Sequence, residues 1–338
     1  MKLTVPSHPK QPRNRAAWVV KIAPSVKVEQ EKANYDRFVG SVLPAEFRPE
    51  LLGFADAHDF GALCYSCVST PARAVPHTLT EHLNQGNTRA LALVLGKICR
   101  LLGRSWYEPA ATRHKQCIAD RYERRFFNDR SSILTNEAKL ARDAARYFGA
   151  ETQGARIAID HTVFPSPATM LFDKFKLMSY RCCVIHGDLN SDNIIVSPNR
   201  GLVNLIDFEH VGEGHVYEDL VSIEASIRIN HPQDASFAEI LEHERLIAEN
   251  CPSQSDDVYA QAIMAVRRTA TRLFGSIEDA SRYHFAVAAV GLRLMQAVDL
   301  QDFARARITA STLWATRALA QRHGLWAADF RVGINISR

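Results

Sequence analysis

Glycine is scarce in this chain: there are 16 in 338 residues, and the first is Gly40. No glycine-built turn or phosphate-cradling loop can therefore lie in the first 39 residues. Carboxylates are missing from the start as well, where Lys2, Lys10, Arg13 and Arg15 stand among prolines and the first acidic residue is Glu29. Such a segment reads as a solvated arm, with a nucleic-acid tail as the alternative. The most apolar stretch, Phe285 to Leu292, is cut by Arg293 and falls short of the roughly 20 residues a bilayer-spanning helix needs. The opening MKLTVPSHPKQPRNR has no apolar segment of signal-peptide type, so a cytoplasmic protein is expected.

Charge of either sign is only mildly in excess, 41 − 37 = +4, which argues against nucleic acid or an anionic membrane as partner. The seven cysteines, at 64, 67, 99, 117, 182, 183 and 251, are an odd set and are expected as reduced thiols. Cys64 and Cys67 form a C-x-x-C without a second pair at zinc spacing. They lie in the strand-like run GALCYSCV, which turns positions three apart to opposite faces. The 46% hydrophobic and 23% charged composition is that of a folded chain, and the length suits two domains or one bilobal domain.

Periodicity organises what is present. Ala17 to Ile22 (AWVVKI) reads as a strand, and Val26 to Val39 shows helical spacing through Val28, Tyr35, Phe38 and Val39. Leu51–Phe54 and Ala62–Val68 read as two more strands, followed by the proline-containing segment STPARAVP, where a domain boundary is expected. Helical patterns cover 78–85, 88–102 and two segments within 112–148; the basic cluster Arg121, Arg124, Arg125 has Asp120 and Glu123 beside it and reads as a solvated face. From Arg181 to Glu209 the helical period gives way to three β-rich runs, CCVI, NIIV and LVNLI, separated by polar turns. Helices return from Glu218 to about His323, broken near Pro232, Pro252 and Gly275.

The chemistry concentrates in VIHGDLNSDNIIVSPNRGLVNLIDFEH. Here His186, Asp188 and Asn193 make H-x-D-x-x-x-x-N in the turn between two apolar runs, and Asp207 follows the third run as D-F-E. A carboxylate on such a loop can orient a hydroxyl or accept its proton. A second carboxylate and an amide oxygen nearby are hard ligands for Mg²⁺, which takes one or two protein oxygens and fills its shell with phosphates and water. These are the parts a phosphoryl transfer needs.

HGDLNSDNIIV followed by LIDFEH and YEDL resembles the aminoglycoside phosphotransferase and choline kinase group, over residues 184–220 in its sharp motifs. The resemblance implies an α+β, bilobal, protein-kinase-like fold. Its parts would be a small, reduced β-rich nucleotide lobe over residues 1–72, with 1–16 flexible, and a large, mostly helical lobe over 73–338. It implies an ATP- and Mg²⁺-dependent transfer of the γ-phosphate to a hydroxyl of a small molecule. Asp188 would be the base and His186 the support of its loop. Asn193 and Asp207 would hold the metal, and Asp219 would be a buried partner of the loop. Lys21 would reach the nucleotide phosphates, held by Glu31, with Glu29 as the alternative.

The chain departs from the family pattern in three places. No glycine precedes Lys21, which leaves open a reduced lobe, another cover for the nucleotide, or a catalytically weak nucleotide-binding or regulatory module. Glu209 stands where D-F-G has glycine, and Asn190 stands where protein kinases carry a lysine, which points away from protein substrates. Choline, sugar, amino-alcohol and nucleoside acceptors remain open, as does the oligomeric state. Glu218, Glu224, Asp256, Asp257 and Asp302 could face a cationic acceptor, with solvent as the default for each.

Overall fold

A computed structural model of the chain describes residues 18–66, 77–111, 113–154, 156–232, 235–251 and 257–325. The expected flexible arm, Cys67 with its C-x-x-C, the proline segment and the boundary after residue 72 lie outside the described residues. The α+β class holds: helices alternate with four three-stranded sheets among the described residues. These residues form two compact units. One contains the chain up to His114 together with 181–232 and 265–277; the other contains 115–180, 235–264 and the chain from Glu278 on.

The first unit opens with strand β1, Trp18–Pro24, and runs without a loop into helix α1, Ser25–Asn34. Strands β2, Leu51–Ala57, and β3, Phe60–Ser66, form a hairpin, and the antiparallel order is β1-β3-β2. β1 and β3 pair Lys21 with Leu63 and Val19 with Tyr65, so by the two-residue period these four side chains share one face. That face is the buried one, since Leu63 and Tyr65 are both buried and α1 packs there with Val28 inward.

Two further sheets carry the loops of interest. Ile194–Ser197 is the middle strand between Leu202–Leu205 and His77–Thr78, and Tyr180–Ile185 is the middle strand between Gly212–His215 and His114–Lys115. Ile185, Ile194, Leu205 and Leu189 are fully buried, which at roughly 1.5–3 kcal/mol per side chain anchors both ends of the 186–193 turn. The strand Gly212–His215 was not readable beforehand, because GEGH has no β-branched residue and two glycines.

The second unit is mostly helical. Helices Arg130–Phe148, Phe237–Ala248 and Asp302–Arg322 meet in a core of Tyr147, Ile240, Ala306 and Ala310. Ala280–Leu294 lies close against Asp302–Arg322, because a Cβ on Gly291 would sit 2.0 Å from Thr312 Oγ1. This unit also holds a short sheet, Glu151–Thr152, Arg156–Ile159 and Thr162–Pro165, in a stretch to which the sequence pattern assigns no element.

Solvent proves the wrong environment for part of the acidic set. Glu218 and Glu224 are fully buried, and Glu224 is paired with both Arg228 and Arg267 at 2.8 Å. Asp302 instead binds Arg146 and the Tyr147 hydroxyl, and Asp256 lies outside the described residues.

Candidate active site

Lys21, Glu31, His186, Asp188, Asn193, Asp207 and Asp219 all lie in the first unit. Lys21 projects from β1 onto the buried face of the sheet, where its Nζ donates to Glu31 Oε2 at 2.6 Å and to Asp207 Oδ1 at 2.8 Å. Glu209 Oε2 stands 3.7 Å from the same ammonium, and its Oε1 is 3.1 Å from Lys27 Nζ. Burial alone would lower the Lys21 pKa, but hydrogen bonds and charge from Asp207 and Glu31 outweigh it and hold the pKa above the ordinary lysine value.

Glu31 is completely buried, a costly place for a carboxylate unless donors surround it. It has them. Besides Lys21, its Oε1 accepts from the Tyr65 hydroxyl at 2.8 Å and the Phe208 backbone N–H at 3.3 Å. Burial and the neighbouring Glu31 charge push the Tyr65 phenol upward, so it remains a donor. Glu29, two residues earlier on the helix, is exposed.

The turn after Ile185 is built around Asp219, at the start of helix Glu218–Asn230. Its Oδ2 accepts from the His186 N–H at 2.9 Å and the Tyr107 hydroxyl at 3.0 Å, and its Oδ1 from the Gly187 N–H at 3.0 Å. Gly187 has φ +79°, and a Cβ there would lie 2.4 Å from the His210 carbonyl oxygen, so only glycine fits. His186 is buried, and its Nε2 lies 3.0 Å from the Ile206 carbonyl oxygen, which makes Nε2 the protonated nitrogen. Its Nδ1 has no partner among the described residues.

Asp188 and Asn193 meet directly. Asn193 Nδ2 donates to the Asp188 carbonyl oxygen at 2.8 Å and to Asp188 Oδ2 at 3.2 Å. Asn190, in the position of the kinase lysine, uses its side-chain oxygen to cap the short turn, accepting from the N–H groups of Asp192 and Asn193. The Ile206 N–H donates to the Asn193 carbonyl oxygen at 3.0 Å, which ties this turn to the residue before Asp207. Asp207 itself has φ +63°, a left-handed conformation that costs a non-glycine residue roughly 1 kcal/mol or more and must be held by its surroundings.

Two buried groups give opposite pH slopes. Burial lowers the His186 pKa from 6.5 to about 4, so the unfolded chain takes up this proton first and stability falls as pH drops through that interval. Burial raises the Asp219 pKa from 3.8 to about 6 against the pull of its three donors, so the folded chain takes up that proton first and stability falls as pH rises. His186→Asn removes the first slope alone. Its destabilisation relative to wild type is expected to shrink by roughly 2–3 kcal/mol between pH 7 and pH 4.5, measured by urea unfolding. An equal penalty at both pH values would contradict a buried neutral imidazole.

Three oxygens accept nothing from the described residues: Asp188 Oδ1, Asn193 Oδ1 and Asp207 Oδ2. They are the hard donors that Mg²⁺ prefers, so the residues fit that ion. No group of three His, Cys, Asp or Glu side chains is arranged to hold a metal among the described residues. A bound ion would therefore complete its shell from phosphate and water. Beside this constellation lies an open cavity of about 210 Å³. Val19, Pro49, Tyr65, Ile195, Ile206 and Phe208 form most of its wall, with Lys21, Glu31, Ser66 and Asp207 as its polar part. An apolar cleft with a few convergent polar groups is the usual form of a small-molecule site.

The family described as Ternary complex associated domain 9 matches residues 131–320, more than half of the chain. The chain belongs to that family. The Ternary complex associated domain 9 match spans His186, Asp188, Asn193, Asp207 and Asp219 and leaves out Lys21 and Glu31. No curated protein matches the chain. Among solved structures, an aminoglycoside phosphotransferase of Streptomyces rimosus is 17% identical, over 83% of this chain and 85% of that one, with a TM-score of 0.42. A glucosamine kinase is 15% identical, over 91% and 72%, with a TM-score of 0.45. An ethanolamine kinase of Plasmodium vivax is 13% identical, over 90% and 78%, with a TM-score of 0.37.

Tyr65, Asn34, Lys27 and Tyr107 are site residues that the motif reading missed. Two of them carried a signal: Lys27 and Asn34 stand four before and three after Glu31, the spacing of one helix face. Tyr65 joins the Lys21 face only through the β1–β3 register. Tyr107 carried none, because its meeting with Asp219 spans 112 residues.

Proposed function

We propose that this protein is a protein-kinase-like phosphotransferase that moves the γ-phosphate of ATP, with Mg²⁺, to a hydroxyl group of a small molecule. The observation that carries the reading is the bridge from Lys21 to both Glu31 and Asp207 in the same unit as the Asp188–Asn193 pair. An ammonium on a buried carboxylate can exchange its second partner for a phosphate. The Lys21–Glu31 bond would keep it aimed, and Asp207 would offer its free Oδ2 to the metal. The apolar cleft suits an adenine ring.

In this reading Asp188 receives the acceptor hydroxyl at its free Oδ1, while Asn193 holds Oδ2 and fixes the carboxylate plane. His186 and Asp219 hold the turn so that Asp188 keeps its aim. Asn193 and Asp207 would hold Mg²⁺, which supplies charge neutralisation for the phosphates. The cytoplasm, with its ATP and reducing thiol pool, is the location we propose, in keeping with the free thiols of Cys182 and Cys183.

The test is a thermal-shift series with ATP, Mg²⁺ and both together, followed by a small-molecule hydroxyl panel scored for ATP consumption. ATP with Mg²⁺ at about 100 times its dissociation constant is expected to stabilise by about 2.7 kcal/mol. ATP without the metal should do clearly less. Metal-independent stabilisation with no ATP consumption would replace the enzyme by a nucleotide-binding module, and no stabilisation at all would sink both readings.

A further inference from the structure

We infer that Asn34 is a positioning residue that clamps the D-F-E segment to α1 and so holds Asp207 in its metal-facing conformation, an inference that rests on the phosphotransferase reading. Asn34 is 7% exposed and every polar atom of its side chain is engaged. Nδ2 donates to the Phe208 carbonyl oxygen at 3.2 Å and to the Glu209 carbonyl oxygen at 2.7 Å, while Oδ1 accepts from Gln30 Nε2 at 2.9 Å. The two carbonyls demand a donor, so the amide can face only one way.

The clamp belongs to a stripe. Lys27, Glu31, Asn34 and Tyr35 follow one another along a single face of the helix and its continuation, and each touches D-F-E. Lys27 binds the Glu209 carboxylate, Glu31 accepts the Phe208 N–H, and the Tyr35 ring meets the Phe208 ring edge-on at 5.8 Å. On the other side of Asp207, Ile206 is fixed through both its N–H and its carbonyl, by Asn193 and His186. Between these supports stands the left-handed Asp207 at φ +63°. A free peptide leaves that region, so the peptides after Asp207 must be gripped, and among the described residues Asn34 is the side chain that grips two of their carbonyls. With glycine absent from the third position of D-F-E, the backbone has less freedom to adapt, and the Glu209 side chain gives Lys27 a further hold.

The experiment compares wild type with Asn34→Asp, which keeps the shape and removes both donors. Amide hydrogen exchange at Phe208–Val211 is expected to rise about tenfold, with exchange at Ile185–Leu189 unchanged. The Mg²⁺ concentration that half-saturates the thermal shift at saturating ADP should also rise about tenfold, while ADP affinity without metal stays within about twofold. Unmoved exchange and unmoved Mg²⁺ dependence would overturn the clamp, as would an equal loss of metal-free ADP affinity, which marks a general structural role. Should Asn34→Asp not fold, Gln30→Ala, which only frees the amide to rotate, is expected to change both readouts about twofold in the same direction, and no change overturns the inference. Absence of phosphate transfer by wild type would sink the phosphotransferase reading; the exchange measurement decides the clamp whatever that outcome.

Discussion

Asp188→Ala is expected to lower phosphate transfer by roughly 10²- to 10⁴-fold, the usual worth of a positioned general base, while ATP and Mg²⁺ still stabilise the fold. The separation follows from the contacts. Asn193 Nδ2 keeps its 2.8 Å bond to the residue-188 carbonyl, so the amide oxygen proposed as a metal ligand retains its orientation when the carboxylate goes. Lys21, Glu31 and Asp207 do not touch Asp188 and should be undisturbed. Asp188→Asn is the sharper variant, since it keeps volume and loses only the ability to accept a proton. Wild-type turnover in either variant would remove Asp188 from the mechanism.

Asp219→Ala is expected to cost roughly 3–5 kcal/mol of stability, because three buried donors lose their acceptor at once and each unsatisfied group carries about 1–3 kcal/mol. Two of those donors are the backbone N–H groups of His186 and Gly187, which no side chain substitution can remove. The third is the Tyr107 hydroxyl, so Tyr107→Phe isolates the smallest share at about 1 kcal/mol. Denaturant unfolding of both variants checks the order. If Asp219→Ala proved no worse than Tyr107→Phe, the turn would be held by its flanking strands and not by this carboxylate. Activity should vanish in Asp219→Ala in any case, since Asp188 directly follows the freed backbone of His186 and Gly187.

Much of this site was legible because its determinants are local. The alternation in AWVVKI, the polar turn HGDLNSD between β-branched runs and the strand ending at D-F-E depend on neighbours a few residues apart, and they place Lys21, Asp188, Asn193 and Asp207 on the right kinds of element. Glu224 was not legible in the same way. Its i,i+4 partner Arg228 was in view, but Arg267 is 43 residues on, and with both arginines around it a residue that composition sends to solvent becomes fully buried.

Residue order by itself determined which side chains could do chemistry: a lysine on a strand, a base, an amide and a carboxylate on turns, and no glycine before Gly40. Tertiary structure alone decided that Lys21 meets Asp207 across 186 residues, that Asp207 stands in a left-handed backbone, and that Asn34 grips the carbonyls beyond it. The physical reason is range. Hydrophobic period and turn chemistry act over a few residues, whereas the donors a buried carboxylate needs come from whatever the folded core brings within 3 Å.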